Sequence, residues 1–300
     1  MARSKIEADA ALAGTVVLEP DPKKAFVFKV KLDRTVLRKR LTEEAFLERA
    51  FRSTRSVAKT KDLRVAAEGD SWCNLLWPVS GYPPTFVNLI DETAGYYVNN
   101  IGWPGDEFAD ILAAKQYRQL LQSDTFDYFV FSGGGNDILG GKALKDMLKR
   151  RQSLGADPSP ADCINTTKFG AALAKLRKGY QTVAKEVKAW TSKTRMLIHG
   201  YDHAVPRASG KWLGGPFAEM GYDPTSALAK NIIAHMVDRF YDELAAVVTD
   251  EGPRIGLIDC RGACAGNWHD ELHPTKAGAK KVAARFLDKM GGAPIVVASG

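Results

Sequence analysis

The chain has little of what would settle its class at once. No run of about 18 apolar residues occurs, so no segment reads as a helix that crosses a bilayer. Residues 1–9 carry Glu7 and Asp9 where a secretion signal needs an apolar stretch. They read as no signal peptide, and a cytoplasmic location is the expectation. Cysteine is sparse, with Cys73, Cys163, Cys260 and Cys264 in 300 residues, too few for a disulfide scaffold. Cys260 and Cys264 lack the second close pair of a zinc site, so free thiols are expected. A Gly-x-Ser-x-Gly elbow is missing, which argues against an α/β-hydrolase, and Gly133-Gly134-Gly135 lacks the spacing of a dinucleotide-binding turn. His269 and His273 sit four apart, but Glu271 is one place too late and Pro274 would interrupt the helix that a zinc protease needs. What is left has an ordinary globular composition, 45% hydrophobic, in a chain long enough to bury a sizeable core.

Acidic charge is scarce only at one end. Residues 1–62 carry a net charge of +6 and the rest of the chain +1. The densest part is Arg38-Lys39-Arg40, followed by Arg49, Arg52 and Arg55. Residues 25–31 read as a strand, and 43–54 as a helix with Phe46, Leu47 and Phe51 on its apolar side. The segment is expected to be a basic N-terminal extension. It either packs on the main domain, the favoured reading, or meets an anionic partner such as a membrane surface, nucleic acid or an acidic protein.

From residue 63 onward, short apolar runs at 64–68, 96–100, 127–132, 195–200 and 254–259 alternate with segments of helical period at 106–121, 169–190, 226–249 and 275–289. That alternation predicts a parallel sheet covered on both faces, with ligands bound beyond the carboxyl ends of its strands. Four polar segments fall at those ends: Gly69-Asp70-Ser71-Trp72, Asn100 to Gly105, Gly134-Gly135-Asn136-Asp137, and Asp270-Glu271-Leu272-His273-Pro274.

Each could be bland alone, since Gly-Asp-Ser is also an ordinary helix-capping signal. As a set they supply a complete chemistry. A serine hydroxyl needs an imidazole to take its proton, and the imidazole needs a carboxylate to fix its tautomer. Ser71, His273 and Asp270 fill those roles. A developing oxyanion needs donors. The Ser71 N–H, the Gly105 N–H and the Asn136 side-chain amide can provide them.

The four segments resemble the four blocks of the SGNH, or GDSL-type, hydrolase family, over roughly residues 63–290. Carried over by position, the resemblance puts the nucleophile on Ser71, the glycine on Gly105, the asparagine on Asn136, the base on His273 and the carboxylate on Asp270. Trp72 replaces the usual leucine or small residue, and Gly102 is the other candidate in the second block. The resemblance implies a three-layer α/β/α, flavodoxin-like fold with a central, mainly parallel five-stranded sheet at 63–300. It also implies hydrolysis of carboxylic esters, of acyl lipids, thioesters or acetylated sugars, through an acyl-enzyme. The chemistry needs no metal and no cofactor. An acyltransferase using the same triad is the alternative within catalysis, and a binding protein with a relic site the alternative outside it. Trp72, Trp103 and Trp268 lie in or beside the blocks and are expected to line the substrate site. The loop at 203–224 is a candidate lid.

Overall fold

Alternation along one strand shows how the layers form. In β5 (Tyr128–Ser132) the Tyr128 hydroxyl donates to Met290 O, 3.1 Å away. Phe129 and Phe131 meet Tyr117, and Phe131 also meets Phe108 and Tyr180. Successive side chains of a strand point to opposite faces, so one strand binds a helical layer on each side.

The computed structural model describes residues 16–20, 28–32, 63–77 and 80–291. β3 (Leu63–Gly69), β4 (Tyr96–Asn100), β5, β6 (Arg195–His199) and β7 (Ile255–Ile258) form a five-stranded parallel sheet in the order β4-β3-β5-β6-β7. Counted within the sheet this is the flavodoxin order 2-1-3-4-5, and its switch point lies between β3 and β5. Ser71 follows β3 and Asn136 follows β5.

The helices are α1 (Phe86–Asp91), α2 (Phe108–Ala114), α3 (Gln116–Ser123), α4 (Gly135–Leu139), α5 (Gly141–Met147), α6 (Thr166–Trp190), α7 (Gly214–Glu219), α8 (Ala227–Glu251) and α9 (Lys276–Lys289). α1 and α9 pack together, with Phe86 stacked on Phe286 at 4.6 Å between ring centroids. α6 packs against α2, α3 and α8. The three longest helices start where their capping residues allow: the side chains of Asn165, Ser226 and Thr275 each accept a first-turn N–H.

The single helix expected over 106–121 is two. Lys115 takes a left-handed conformation, φ 49°, between α2 and α3. Its ammonium pairs with Glu186 on α6, and Tyr117 OH donates to the other oxygen of the same carboxylate at 2.5 Å. Contact with α6 thus accompanies a break that local periodicity does not contain.

β1 (Val16–Pro20) and β2 (Phe28–Leu32) form an antiparallel two-stranded ribbon. Part of the strand expected at 25–31 is therefore β2. Residues 25–27, the helix expected at 43–54 and Arg38, Lys39, Arg40, Arg49, Arg52 and Arg55 lie outside the described residues. Among the described residues no helix is long and apolar enough to cross a membrane.

Candidate active site

The turn after β3 is built by its own first carboxylate. Asp70 Oδ1 accepts the Trp72 N–H at 3.0 Å, and Asp70 O accepts those of Cys73 and Asn74. This lifts Ser71 out of the sheet end, buried but open to a cleft. Gly69 makes the turn possible, since its φ is 153° and a Cβ there would lie 2.1 Å from Ser132 O.

The turn after β7 is built in the same manner. Asp270 Oδ1 accepts the N–H of Leu272 at 2.8 Å and of His273 at 2.7 Å. Its Oδ2 meets His273 Nδ1 at 2.8 Å, and His273 Nε2 meets Ser71 Oγ at 2.9 Å. Burial alone would push Asp270 up, but the His273 ring and the two backbone donors outweigh it and hold the carboxyl at about 2. Asp270 is therefore ionised throughout the neutral range and can fix the imidazole tautomer.

The donors expected for an oxyanion lie in the adjoining turns. Among the described residues no acceptor takes the N–H of Ser71 or of Gly105. Gly102, the other candidate, already donates its N–H to Asn100 Oδ1 at 3.0 Å. Asn136 Nδ2 donates to Asp106 O at 2.7 Å, which spends one of its two hydrogens and leaves the other. Beside it Asp137 Oδ2 accepts the Phe108 N–H at 3.0 Å. The Asn-Asp pair thus fastens the turn after β5 to the turn after β4.

Trp72 is buried, lines the cleft beside Ser71 and donates its indole N–H to Leu272 O at 3.0 Å, joining the turn of Ser71 to the turn of His273. Trp268 is partly buried and stands 6.3 Å from Trp72 between ring centroids. Trp103 faces elsewhere. It borders a separate hollow of about 490 Å³ with Glu68, Asn100, Asp106 and Asp110.

Two residues with no expected role, Glu271 and Tyr201, are built into this site. Glu271 is buried, and its carboxylate accepts four backbone N–H groups: Arg207 and Gly214 on Oε1, Trp212 and Leu213 on Oε2, at 2.8–3.0 Å. The loop at 203–224, expected as a lid, is instead pinned through its middle to the turn that carries His273. Tyr201, just after β6, donates its hydroxyl to Asp70 Oδ2 at 2.6 Å. A buried Tyr at a strand's carboxyl end, and a Glu inside the last block, were the available signals.

All four cysteines are free and buried. Among the described residues no group of three or more His, Cys, Asp or Glu side chains could hold a metal ion.

The architecture defines the fold class: an α/β protein with the SGNH-hydrolase fold, shared with solved lipases and esterases. Similar solved structures include the lipase Lip_vut3 from a goat rumen metagenome, 18% identical, with 77% of this chain and 98% of that one covered at a TM-score of 0.51. An extracellular lipase from Streptomyces rimosus is 17% identical over 76% and 99% of the two chains, TM-score 0.51. A variant of Axe2, an acetyl-xylooligosaccharide esterase from Geobacillus, is 14% identical over 79% and 97%, TM-score 0.50. No protein-family model matches the sequence, and no curated protein matches it.

Proposed function

We propose that the protein is a serine ester hydrolase that works through an acyl-enzyme on Ser71 and prefers short acyl groups. The observation that carries the reading is the unbroken line from Asp270 Oδ2 through both ring nitrogens of His273 to Ser71 Oγ, at 2.8 and 2.9 Å, with uncommitted N–H groups at Ser71 and Gly105. Ser71 Oγ attacks the ester carbonyl carbon while His273 Nε2 takes its proton. The carbonyl oxygen becomes an oxyanion held by the Ser71 and Gly105 N–H groups and the spare Asn136 hydrogen. The tetrahedral adduct collapses, the C–O bond to the alcohol breaks, and His273 returns the proton to the leaving oxygen. Water then attacks the acyl-enzyme with His273 as base, releasing the acid and restoring Ser71.

The preference for a short acyl group rests on the cleft beside Ser71. Its apolar lining is Trp72, Leu139, Ala204 and Leu272, and its volume is about 20 Å³, room for roughly one water-sized group. An acetyl methyl fills it, and a longer chain has to extend beyond it. The test is a series of p-nitrophenyl esters together with a fluorophosphonate label. Wild type should be labelled at Ser71 alone and turn over the acetate with the highest kcat/KM. Ser71→Ala should lose labelling and nearly all turnover, by about 10⁶-fold. Labelling at another serine, or turnover near wild type in Ser71→Ala, refutes the mechanism. A preference for chains of eight or more carbons refutes the acyl assignment alone.

A further inference from the structure

Tyr201 is the most constrained residue near the site that the mechanism does not use. It stands at φ 69°, a left-handed backbone that a bulky aromatic residue adopts only when its surroundings hold it there. Every polar atom it has is held. Its N–H donates to His199 Nδ1 at 3.1 Å and its carbonyl accepts Tyr241 OH at 2.7 Å. Its hydroxyl donates to Asp70 Oδ2 at 2.6 Å and accepts the Gly135 N–H at 3.0 Å. The ring is fixed as well, edge-on to Trp72 and against His199 and Phe240. His199 is fully buried, and burial holds its imidazole down at about 3, so it stays neutral with Nδ1 as acceptor.

The hydroxyl thus bridges two particular atoms. Asp70 precedes Ser71 and shapes the turn that presents it, while Gly135 precedes Asn136. A Cβ on Gly135 would lie 2.9 Å from the Tyr201 ring, so the approach is available only to glycine. Resting on the hydrolase reading above, we infer that Tyr201 is a positioning residue. Its phenol bolts the nucleophile turn to the asparagine turn and so sets the separation of the Ser71 N–H and the Asn136 amide, the two donors that one oxyanion must reach together. No acid–base role belongs to it, since burial pushes its own hydroxyl far above the ordinary tyrosine range.

The bridge also governs a charge. Asp70 is fully buried, and its carboxyl sits at about 6, because burial raises it more than the Tyr201 and Trp72 donors and the His273 ring lower it. Asp137 also raises it, while Asp106, Cys73 and Tyr180 are the other titratable groups in its field. Removing the phenol donor must raise it further, and an ionised Asp70 favours the His273 imidazolium of the transition state.

The experiment compares wild type, Tyr201→Phe, Asp70→Asn and the double variant with p-nitrophenyl acetate from about pH 5 to pH 9, alongside fluorophosphonate labelling of Ser71. Phenylalanine keeps the cleft wall, so KM should stay within about threefold, while kcat and the labelling rate should fall about tenfold to a hundredfold. The acid limb of kcat/KM that follows the ionisation of Asp70 should move to higher pH. The double variant should be no slower than the slower single variant, because both remove one bridge. Losses that multiply in the double variant, or an unmoved pH profile in Tyr201→Phe, overturn the inference. If Tyr201→Phe does not fold, 3,5-difluorotyrosine placed at position 201 keeps both bonds and strengthens the donor. Its acid limb should then move to lower pH, and an unchanged profile is equally fatal. A wild type that is neither labelled nor active fails the hydrolase reading itself, and the inference with it.

Discussion

The turns at Asp70 and Asp270 are built alike and behave oppositely. In each, one carboxylate oxygen folds its own turn by accepting the N–H two residues on. The other oxygen reaches a ring: the Tyr201 phenol for Asp70, the His273 imidazole for Asp270. Yet burial lifts Asp70 to about 6, while Asp270, also mostly buried, is held at about 2. Asp270 has a ring that can carry positive charge, a second backbone donor from His273, and a side chain 24% exposed. Asp70 has a neutral phenol, one backbone donor and no exposure to speak of. A bond to a neutral group does not offset full desolvation; a chargeable partner and one more donor do.

The largest effect should come from breaking the charged half of this pair. Asp270→Asn leaves the turn's shape but removes the charge that fixes the His273 tautomer and supports the imidazolium. Turnover of p-nitrophenyl acetate should fall about 10³- to 10⁴-fold with Ser71 still in place. A loss below about tenfold would mean that another carboxylate orients the base. Asp70→Asn should cost far less, about tenfold in kcat, because its one amide oxygen can keep the Trp72 N–H that shapes the turn while the acceptor for the Tyr201 phenol is lost. Equal losses in the two variants would erase the distinction.

The smallest effect is in stability, and there the two signs differ. Asp270 lies below its ordinary value of 3.8, so it stabilises the fold above about pH 4, and that contribution is lost as pH falls through about 2. Asp70 lies above the same ordinary value, so between about pH 4 and pH 6 the native state keeps a proton that the unfolded chain has released. Its contribution is therefore greatest below about pH 4 and declines as pH rises through about 6. Thermal unfolding across pH should show Asp70→Asn gaining on wild type between about pH 4 and pH 7. Asp270→Asn should lose against it between about pH 2 and pH 5. Parallel curves for the two variants would contradict the opposed displacements.

The sheet and the polar ends of its strands were legible because both follow from short-range pattern. Five apolar runs ending in glycine or polar residues correspond to β3 through β7 within a residue or two at each end. Ser71, Asn136, Asp270 and His273 stand in the polar turns beyond those ends, where an open parallel sheet places its ligand-facing residues. What escaped depends on partners distant in sequence. Lys115 breaks a helix opposite Glu186, 71 positions away. Tyr201 matters through Asp70, 131 positions away. Glu271 looked like part of a misplaced metal motif, and its role shows only once residues 207–214 fold back over it. Trp103 is close to the blocks in sequence, but the turn after β4 directs it to the other hollow.

The Glu271 cradle also orders events in time. The four N–H groups it gathers are made 57 to 64 residues before it, and Ser71 is made 202 residues before its base. During synthesis at about 5–20 residues per second, a nascent chain holds Ser71 for roughly 10–40 s before His273, the base proposed for it, is made. Within that interval the loop at 207–214 waits roughly 3–13 s, the time to make 57 to 64 residues, for a carboxylate to fold around. Loop and base then arrive together, because one four-residue turn carries both anchors. On the proposed mechanism Ser71 gains its base only when the turn that clamps the neighbouring loop has been made, so the capacity to turn over an ester and the closing of that loop come in a single late step.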